Sequence, residues 1–246
     1  VKKPWKLAWI TGASSGIGAE IARQLAESGV TVAASARHLP ERAAHENIRH
    51  FPLDVTDEPA ARAAVRSIEE SLGPIDLAIL NAGTYAPFKP ERFDTATFRT
   101  VNDVNYLGTV HCLGALLPQL MKRRSGHVAW VASVAGYQGL PKAAYYGPPK
   151  AALINLAEAM WLELRSHGIH VSVINPGFVA TPMTAGNDFP MPFLVSPEWA
   201  ARRTIAGLKA RRFEIAYPLP FVLLLKTAGK LPPGLKLRLI ERFTKQ

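Results

Sequence analysis

Leu7-Ala8-Trp9-Ile10-Thr11-Gly12-Ala13-Ser14-Ser15-Gly16-Ile17-Gly18 is the stretch on which the fold turns. An apolar run from Leu7 to Ile10 ends in a glycine-rich turn. A helical pattern follows from Ala19 to Ser28, with Ile21, Ala22 and Leu25 on one face and Gly29 to close it. Gly12 permits a sharp turn, Gly16 a close approach of backbone to a pyrophosphate, and Gly18 tight packing of helix on strand. The first N–H groups of the helix lack partners and point where a phosphate would sit. Three glycines alone mark only a tight turn; with a strand before and a helix after, they mark a nucleotide-binding turn.

The rest of the chain repeats that alternation. Val30 to Ala34, Ile48 to Leu53, Leu77 to Leu80, His127 to Ala132, His170 to Asn175 and Phe213 to Ala216 read as strands. Helices are expected near Glu58 to Ser71, capped by Asp57 and ended by Gly73-Pro74, and over Lys150 to Ser166. Another is expected over Pro197 to Lys209, opened by Ser196. Asp94 to Arg124 is mostly helical, with Pro118 expected to kink or shorten it. The strands are continuously apolar rather than alternating, so both faces of a parallel sheet are covered. The fold class is therefore α/β, a Rossmann-like doubly wound parallel sheet in a single domain. Pro182 to Pro197 has few periodic apolar residues and reads as a long loop over a site.

The 246 residues are 48% hydrophobic and 20% charged, which excludes disorder as the main state. The one cysteine, Cys112, and seven histidines without ligand spacing exclude a Cys-based zinc site, and no metal is expected. No G-x-S-x-G elbow points to a hydrolase. No run approaches the ~18 apolar residues of a spanning helix, and Leu7 to Ile10 is too short for a signal core, so a cytoplasmic protein is expected. The net charge of +10 is uneven: Pro218 to Gln246 holds six Lys/Arg and one Glu. Residues 1–217 are accordingly read as the dinucleotide-binding catalytic domain, and 218–246 as a basic amphipathic tail extending it. Phe221-Val222-Leu223-Leu224-Leu225 and Leu235 to Phe243 mix leucine with cations, and Pro232-Pro233-Gly234 divides them. Such a tail suits peripheral contact with an anionic membrane, or equally packs over a cleft or in a subunit interface. No helix-turn-helix supports nucleic acid as a partner.

The spacing G-x-x-x-G-x-G, with Asn81-Ala82-Gly83 after the fourth strand, resembles the short-chain dehydrogenase/reductase family over residues 5–217. The resemblance implies that Gly12, Ser14, Ser15, Gly16, Ile17 and Gly18 belong to the cofactor-binding turn, with Ser14 or Ser15 able to add a hydroxyl to a 2′-phosphate contact. Ala36 stands where NAD-preferring members carry Asp, and Arg37 can pair with a 2′-phosphate, so NADP(H) is the expected cofactor. Asp54-Val55 matches the pair that holds the adenine, although Asp54 could instead cap the next helix. Asn81 is expected to pin neighbouring strands. Thr181, in Pro176-Gly177-Phe178-Val179-Ala180-Thr181, matches the threonine that meets the nicotinamide carboxamide.

Tyr146 and Lys150 are four apart, so a helix starting there places them on one face. A nearby ammonium is expected to favour the phenolate and lower a phenol pKa from ~10. By resemblance, Tyr146 is the general acid or base and Lys150 also holds the nicotinamide ribose. Ser133, 13 residues before Tyr146, holds the substrate oxygen, and Asn105 holds a water for proton relay. Gly147-Pro148-Pro149 departs from the family pattern; the prolines are harmless only within the first helical turn, so the helix should begin near Gly147. Tyr145 is an adjacent decoy with the wrong spacing. Tyr137, Gln138, Leu140, Pro141 and the loop from Met183 to Val195 face the substrate in this family; the apolar side chains there suit a lipophilic carbonyl or alcohol. The expected activity is hydride transfer between NADP(H) and such a substrate, in a dimer or tetramer. The alternative is a nucleotide-sensing or membrane-associated binding protein whose site the two prolines impair.

Overall fold

The computed structural model describes residues 4–38 and 45–244. In chain order the elements are β1 (Leu7–Thr11), α1 (Gly16–Glu27), β2 (Thr31–Ser35), β3 (Ile48–His50), α2 (Glu58–Leu72), β4 (Leu77–Leu80), α3 (Thr95–Asn102), α4 (Gly108–Arg123) and β5 (Gly126–Val131). They continue as α5 (Gly147–Leu164), β6 (Ile169–Pro176), α6 (Pro197–Lys209), β7 (Glu214–Tyr217), α7 (Leu219–Gly229) and α8 (Pro233–Thr244). The seven strands form one parallel sheet in the order β3-β2-β1-β4-β5-β6-β7. The order reverses between β1 and β4, so a crevice opens at their carboxyl ends, which is where doubly wound sheets bind ligands.

Apolar layers cover both faces. On one, Trp9, Leu80 and Trp130 pack against Val65 and Ile68 of α2, Leu116 of α4 and Leu153 of α5. On the other, Ile10, Ile79 and Val131 pack against Ile21 and Leu25 of α1 and Ile205 and Leu208 of α6. The two buried indoles are satisfied: Trp9 Nε1 donates to Ser35 Oγ (3.0 Å) and Trp130 Nε1 to the Leu153 carbonyl (2.8 Å). Asp57 caps α2 by accepting from Ala60 N, and Ser196 caps α6 by accepting from Trp199 N.

Three boundaries differ from the sequence expectation. β3 ends at His50 rather than Leu53, although Phe51 N and Leu53 N still donate to the carbonyls of Ala34 and Ala36; Pro52, between them on an edge strand, takes no part in that ladder. The expected helix over 94–124 is two helices joined by a π-helical turn, Asp103–Leu107. Pro118 does not end the run: α4 continues through it to Arg123. Pro118 is solvent-exposed, on the side of the helix where a carbonyl that loses its partner can turn to water.

His127, on β5, is buried, and its Nε2 lies 2.8 Å from Ser172 Oγ, which itself donates to the Arg212 carbonyl. Burial, then the His170 and Arg211 charges, lower its pKa from 6.5 to about 3. The folded protein refuses a proton that the unfolded chain accepts, so this stabilisation is complete above pH 6.5 and is lost as pH falls toward 3. Between neutral pH and about pH 4.5 the wild type should lose about 2–3 kcal/mol more stability than His127→Gln. Urea unfolding at the two pH values checks this, and equal losses contradict it.

Candidate active site

The glycine-rich turn places α1 with its N-terminus open on the crevice. Gly12 has φ +65°, and a Cβ there would lie 2.7 Å from Ala82 Cα; a Cβ on Gly18 would lie 2.4 Å from both the Gly12 carbonyl oxygen and Asn81 Nδ2. Asn81 Nδ2 donates to the carbonyls of Thr11 (3.2 Å) and Gly12 (3.0 Å), and its N–H donates to Thr11 Oγ1 (3.0 Å), tying the end of β4 to the end of β1. Ser15 stands at the N-cap of α1 but makes no side-chain cap, and the first turn carries no acidic residue. α2, α3 and α6 are each capped, by Asp57, Asp94 and Ser196. The α1 terminus thus keeps its partial positive charge free for an anion, which fits a dinucleotide pyrophosphate.

A cavity of about 200 Å³ runs from this turn across the carboxyl ends of β1, β4 and β5. Gly12, Ser14, Ser15, Gly16 and Ile17 line one end, and Ser133, Tyr146 and Lys150 the other. Asn81, Gly83, Pro176, Gly177, Val179 and Thr181 also line it. Thr181 lies against Gly16: a Cβ on that glycine would come within 3.0 Å of Thr181 Cγ2. The segment 180–195 leaves and rejoins the body at a neck where Ala180 N donates to the Val195 carbonyl (2.9 Å) and Val195 N to that of Phe178 (3.1 Å).

Gly18, Arg37, Asp54, Val55, Ala82 and Asn105 lie outside the cavity lining. Arg37 and Asp54 are exposed beyond the ends of β2 and β3. Asp54 does not cap α2, a role that falls to Asp57. Its Oδ1 accepts from Thr56 N (3.0 Å) and Thr56 Oγ1 (2.7 Å), which hold its pKa below the usual range with help from the Arg37 charge. Val55 is buried against Gly108, where a Cβ would meet its Cγ2 at 2.6 Å. Ala82 backs the glycine turn, its N–H donating to Thr11 Oγ1 (3.1 Å).

The two prolines are accommodated. α5 begins at Gly147, so Pro148 and Pro149 fall in its first turn, where N–H groups have no intrahelical partner. Tyr146 is the N-cap, with its carbonyl accepting from Lys150 N (3.4 Å), and its ring stays in the cavity, edge-on to Tyr85 with centroids 5.5 Å apart. With the phenol in place, the impaired-site alternative loses its motive. Lys150 is buried; its Nζ donates to the Val131 carbonyl (2.7 Å) and lies 5.4 Å from the Tyr146 ring centre. Ser133 Oγ accepts from Ala135 N (3.1 Å) and faces the Tyr146 phenol.

The protonation balance differs from the sequence expectation. Burial pushes the Tyr146 phenol up to about 12, against the opposing hydrogen bond of Ser133, and pushes Lys150 down to about 7. Desolvation is the first cause of both shifts, because both groups sit deep in the protein. The resting pair at neutral pH therefore carries a protonated phenol.

Asn105 is fully buried on the π-helical turn. Its Nδ2 donates to the carbonyls of Thr84 (2.8 Å) and Val101 (2.9 Å), and its Oδ1 accepts from Thr84 N (3.1 Å). A Cβ on Gly83 would meet Asn105 Oδ1 at 2.7 Å and Lys150 Nζ at 3.6 Å, so this glycine is what lets amide and amine approach one another. Tyr145 belongs elsewhere. Its hydroxyl donates to the Arg92 carbonyl (3.3 Å) and accepts from Asp94 N (3.1 Å), and its ring packs on Phe88 and Phe98.

Sequence reasoning missed two features. Tyr85, two residues past the Asn81-Ala82-Gly83 motif, was visible as an aromatic beside the cleft. Glu214 on β7 accepts from Tyr137 Oη (2.6 Å) and Asn175 Nδ2 (2.9 Å) and pairs with Lys226 of α7. That network fastens α7 to the segment behind Ser133, and Phe221 of α7 stacks on Phe178 (5.7 Å).

A doubly wound sheet with an anion-binding turn and a Tyr-Lys-Ser group at its switch point defines a nicotinamide-dependent oxidoreductase. The family model for short chain dehydrogenase matches residues 6–189, and the chain belongs to that family of NAD(P)-dependent dehydrogenases and reductases. It is 35% identical over 236 residues, 93% of each chain, to an uncharacterized oxidoreductase of Myxococcus xanthus. It is 36% identical over 189 residues to one of Staphylococcus epidermidis, covering 75% of this chain and 82% of the other. Its fold is similar to that of a short-chain dehydrogenase from Streptomyces avermitilis, with TM-score 0.80 at 24% identity and 96% of each chain covered. Among the described residues no helix is long and apolar enough to cross a membrane, and no group of His, Cys, Asp and Glu fits a metal ion.

Proposed function

We propose that this enzyme is an NADP(H)-preferring reductase of lipophilic carbonyl compounds. The observation that carries the reading is the convergence of Ser133, Tyr146 and Lys150 at one end of a cavity whose other end is the uncapped start of α1. NADPH, when bound, supplies hydride to the carbonyl carbon. Ser133 holds the carbonyl oxygen and the Tyr146 hydroxyl gives it a proton. A phenol raised to about 12 is protonated at neutral pH, the state that can give a proton. Lys150 holds the nicotinamide ribose hydroxyls and returns positive charge beside the phenolate left after transfer. Asn105, across Gly83 from Lys150, holds the water that resupplies the proton.

Two features support the cofactor preference. Ala36 puts no carboxylate at the end of β2, and the exposed Arg37 can offer its guanidinium to a 2′-phosphate. Thr181 meets the carboxamide, and Asp54 and Val55 border the adenine. For the substrate, the side facing loop 180–195 is aromatic: Phe178 packs on Phe189 (6.1 Å) and on Phe221, and Phe193 on Phe221 (6.1 Å). Residues 1–217 carry the chemistry, and the tail 218–246 extends the same domain, because Phe221, Val222 and Leu225 pack with Val134 just behind Ser133. The active form is a cytoplasmic dimer or tetramer whose tail touches anionic membrane. Turnover of NADPH and NADH against a panel of ketones and aldehydes tests the reading. Oxidation of NADPH with the more apolar members is expected; faster turnover with NADH, or none with any carbonyl, overturns it.

A further inference from the structure

Among the described residues, eight of the eleven large apolar side chains that stand out into solvent lie between Met183 and Leu237. They begin at the cleft itself. Met183 is 42% exposed and lines the Tyr146 cavity. Phe193 and Leu194 follow on the same loop, 50% and 45% exposed. Phe193 has φ +58°, a left-handed backbone that side chains other than glycine rarely adopt, and its ring sits against Phe221 at the start of α7. The apolar rim of the cleft thus runs onto α7.

On α7, Phe221, Val222, Leu225 and Ala228 face the protein, while Leu219, Leu223 and Leu224 project the other way, each more than half exposed. A surface helix ordinarily turns polar residues outward. α7 has 11 residues, about half the length needed to span a bilayer. α8 adds Leu235 and Leu237, both more than half exposed. The polar residues around these leucines are chiefly cations: Lys230, Lys236, Arg238 and Arg242, with Glu241 as the one acid in that run. A second copy of the chain laid on the same face would bring like charges together. An anionic bilayer accepts both parts at once, apolar area and cations, at about 1 kcal/mol per Lys or Arg near its surface.

We infer that the enzyme docks on an anionic bilayer through α7, α8 and the 183–194 rim, which turns the mouth of the Tyr146 cleft toward lipid. A carbonyl substrate then enters from the bilayer rather than from water. The inference rests on the reading of the cleft as a site for a lipophilic carbonyl, and goes beyond a tail contact by making the cleft rim part of the docked face.

Co-sedimentation of the full chain with phosphatidylcholine vesicles, and with phosphatidylcholine–phosphatidylserine vesicles, tests it. The wild type should pellet with the second and not the first, and salt should release it. Leu223→Glu/Leu224→Glu on α7 and Phe193→Glu/Leu194→Glu on the rim should each weaken pelleting about tenfold or more. NADPH binding, followed by fluorescence, reports that each variant is folded. If only the α7 pair matters, the cleft does not face lipid and delivery from the bilayer is overturned. If the wild type ignores both vesicles while light scattering shows that Leu223→Glu/Leu224→Glu splits an oligomer, a second copy covers this face and docking is overturned. NADPH turnover with benzaldehyde reports the reductase reading separately. Turnover without pelleting overturns docking alone; pelleting without turnover overturns the reading of the cleft, and delivery with it.

Discussion

Tyr146→Phe should lower kcat by about a thousandfold or more while NADPH binding stays within about threefold of the wild type, since a positioned general acid contributes up to ~10⁴. The substitution deletes one oxygen. The ring keeps its edge contact with Tyr85, and its place at the start of α5 is set by the backbone. What disappears is the phenol facing Ser133, and with it the proton that a reduced carbonyl oxygen must receive. Tyr145→Phe is the internal control. Its hydroxyl bonds to the backbone of Arg92 and Asp94, outside the cavity, so it should cost about 1 kcal/mol of stability and leave kcat within about twofold. Steady-state kinetics and cofactor titration of both variants decide the matter. If the Tyr145 variant is the dead one, the proton donor has been misassigned.

The second large effect concerns the cofactor. Ala36→Asp should shift the ratio of kcat/KM for NADPH over NADH toward NADH by about two to three orders of magnitude. A carboxylate at the end of β2 would repel a 2′-phosphate, hydrogen-bond a free 2′-hydroxyl, and draw Arg37 into an ion pair, together about 3–4 kcal/mol. The backbone carbonyl of Ala36 already accepts from Leu53 N, a bond the substitution leaves in place, so the fold should persist. Kinetics with the two cofactors measure the shift; an unchanged ratio would show that Ala36 and Arg37 do not read the ribose.

Much of this was legible in the sequence because the decisive signals are local. Gly12, Gly16 and Gly18 sit between a strand and a helix only a few residues away, and Tyr146 and Lys150 are one helical turn apart. The placement of Pro148 and Pro149 followed from the same local rule. What was not legible depends on partners far along the chain or on burial. The Tyr137–Glu214 bond joins residues 77 apart, and nothing at either position announces it. The π-helical turn at Asp103–Leu107 interrupts an apolar periodicity that continues on both sides of it, and it is what carries Asn105 to Thr84. The direction of the Tyr146 shift turned on how deeply phenol and ammonium are buried, which residue spacing does not reveal. Pro118 misled for the converse reason: its spacing does not show that it falls on the exposed side of α4, where the helix continues through it.

The central claim is that hydride passes to a carbonyl carbon held between Ser133 and Tyr146. Preparations of NADPH deuterated on one or the other face of C4, incubated with the enzyme and an aldehyde that it reduces, test this most directly. One preparation alone should place deuterium on the carbinol carbon, and Tyr146→Phe should suppress this transfer by the same factor as kcat. Alcohol formed without deuterium from either preparation, or label equally shared between the two, would contradict it.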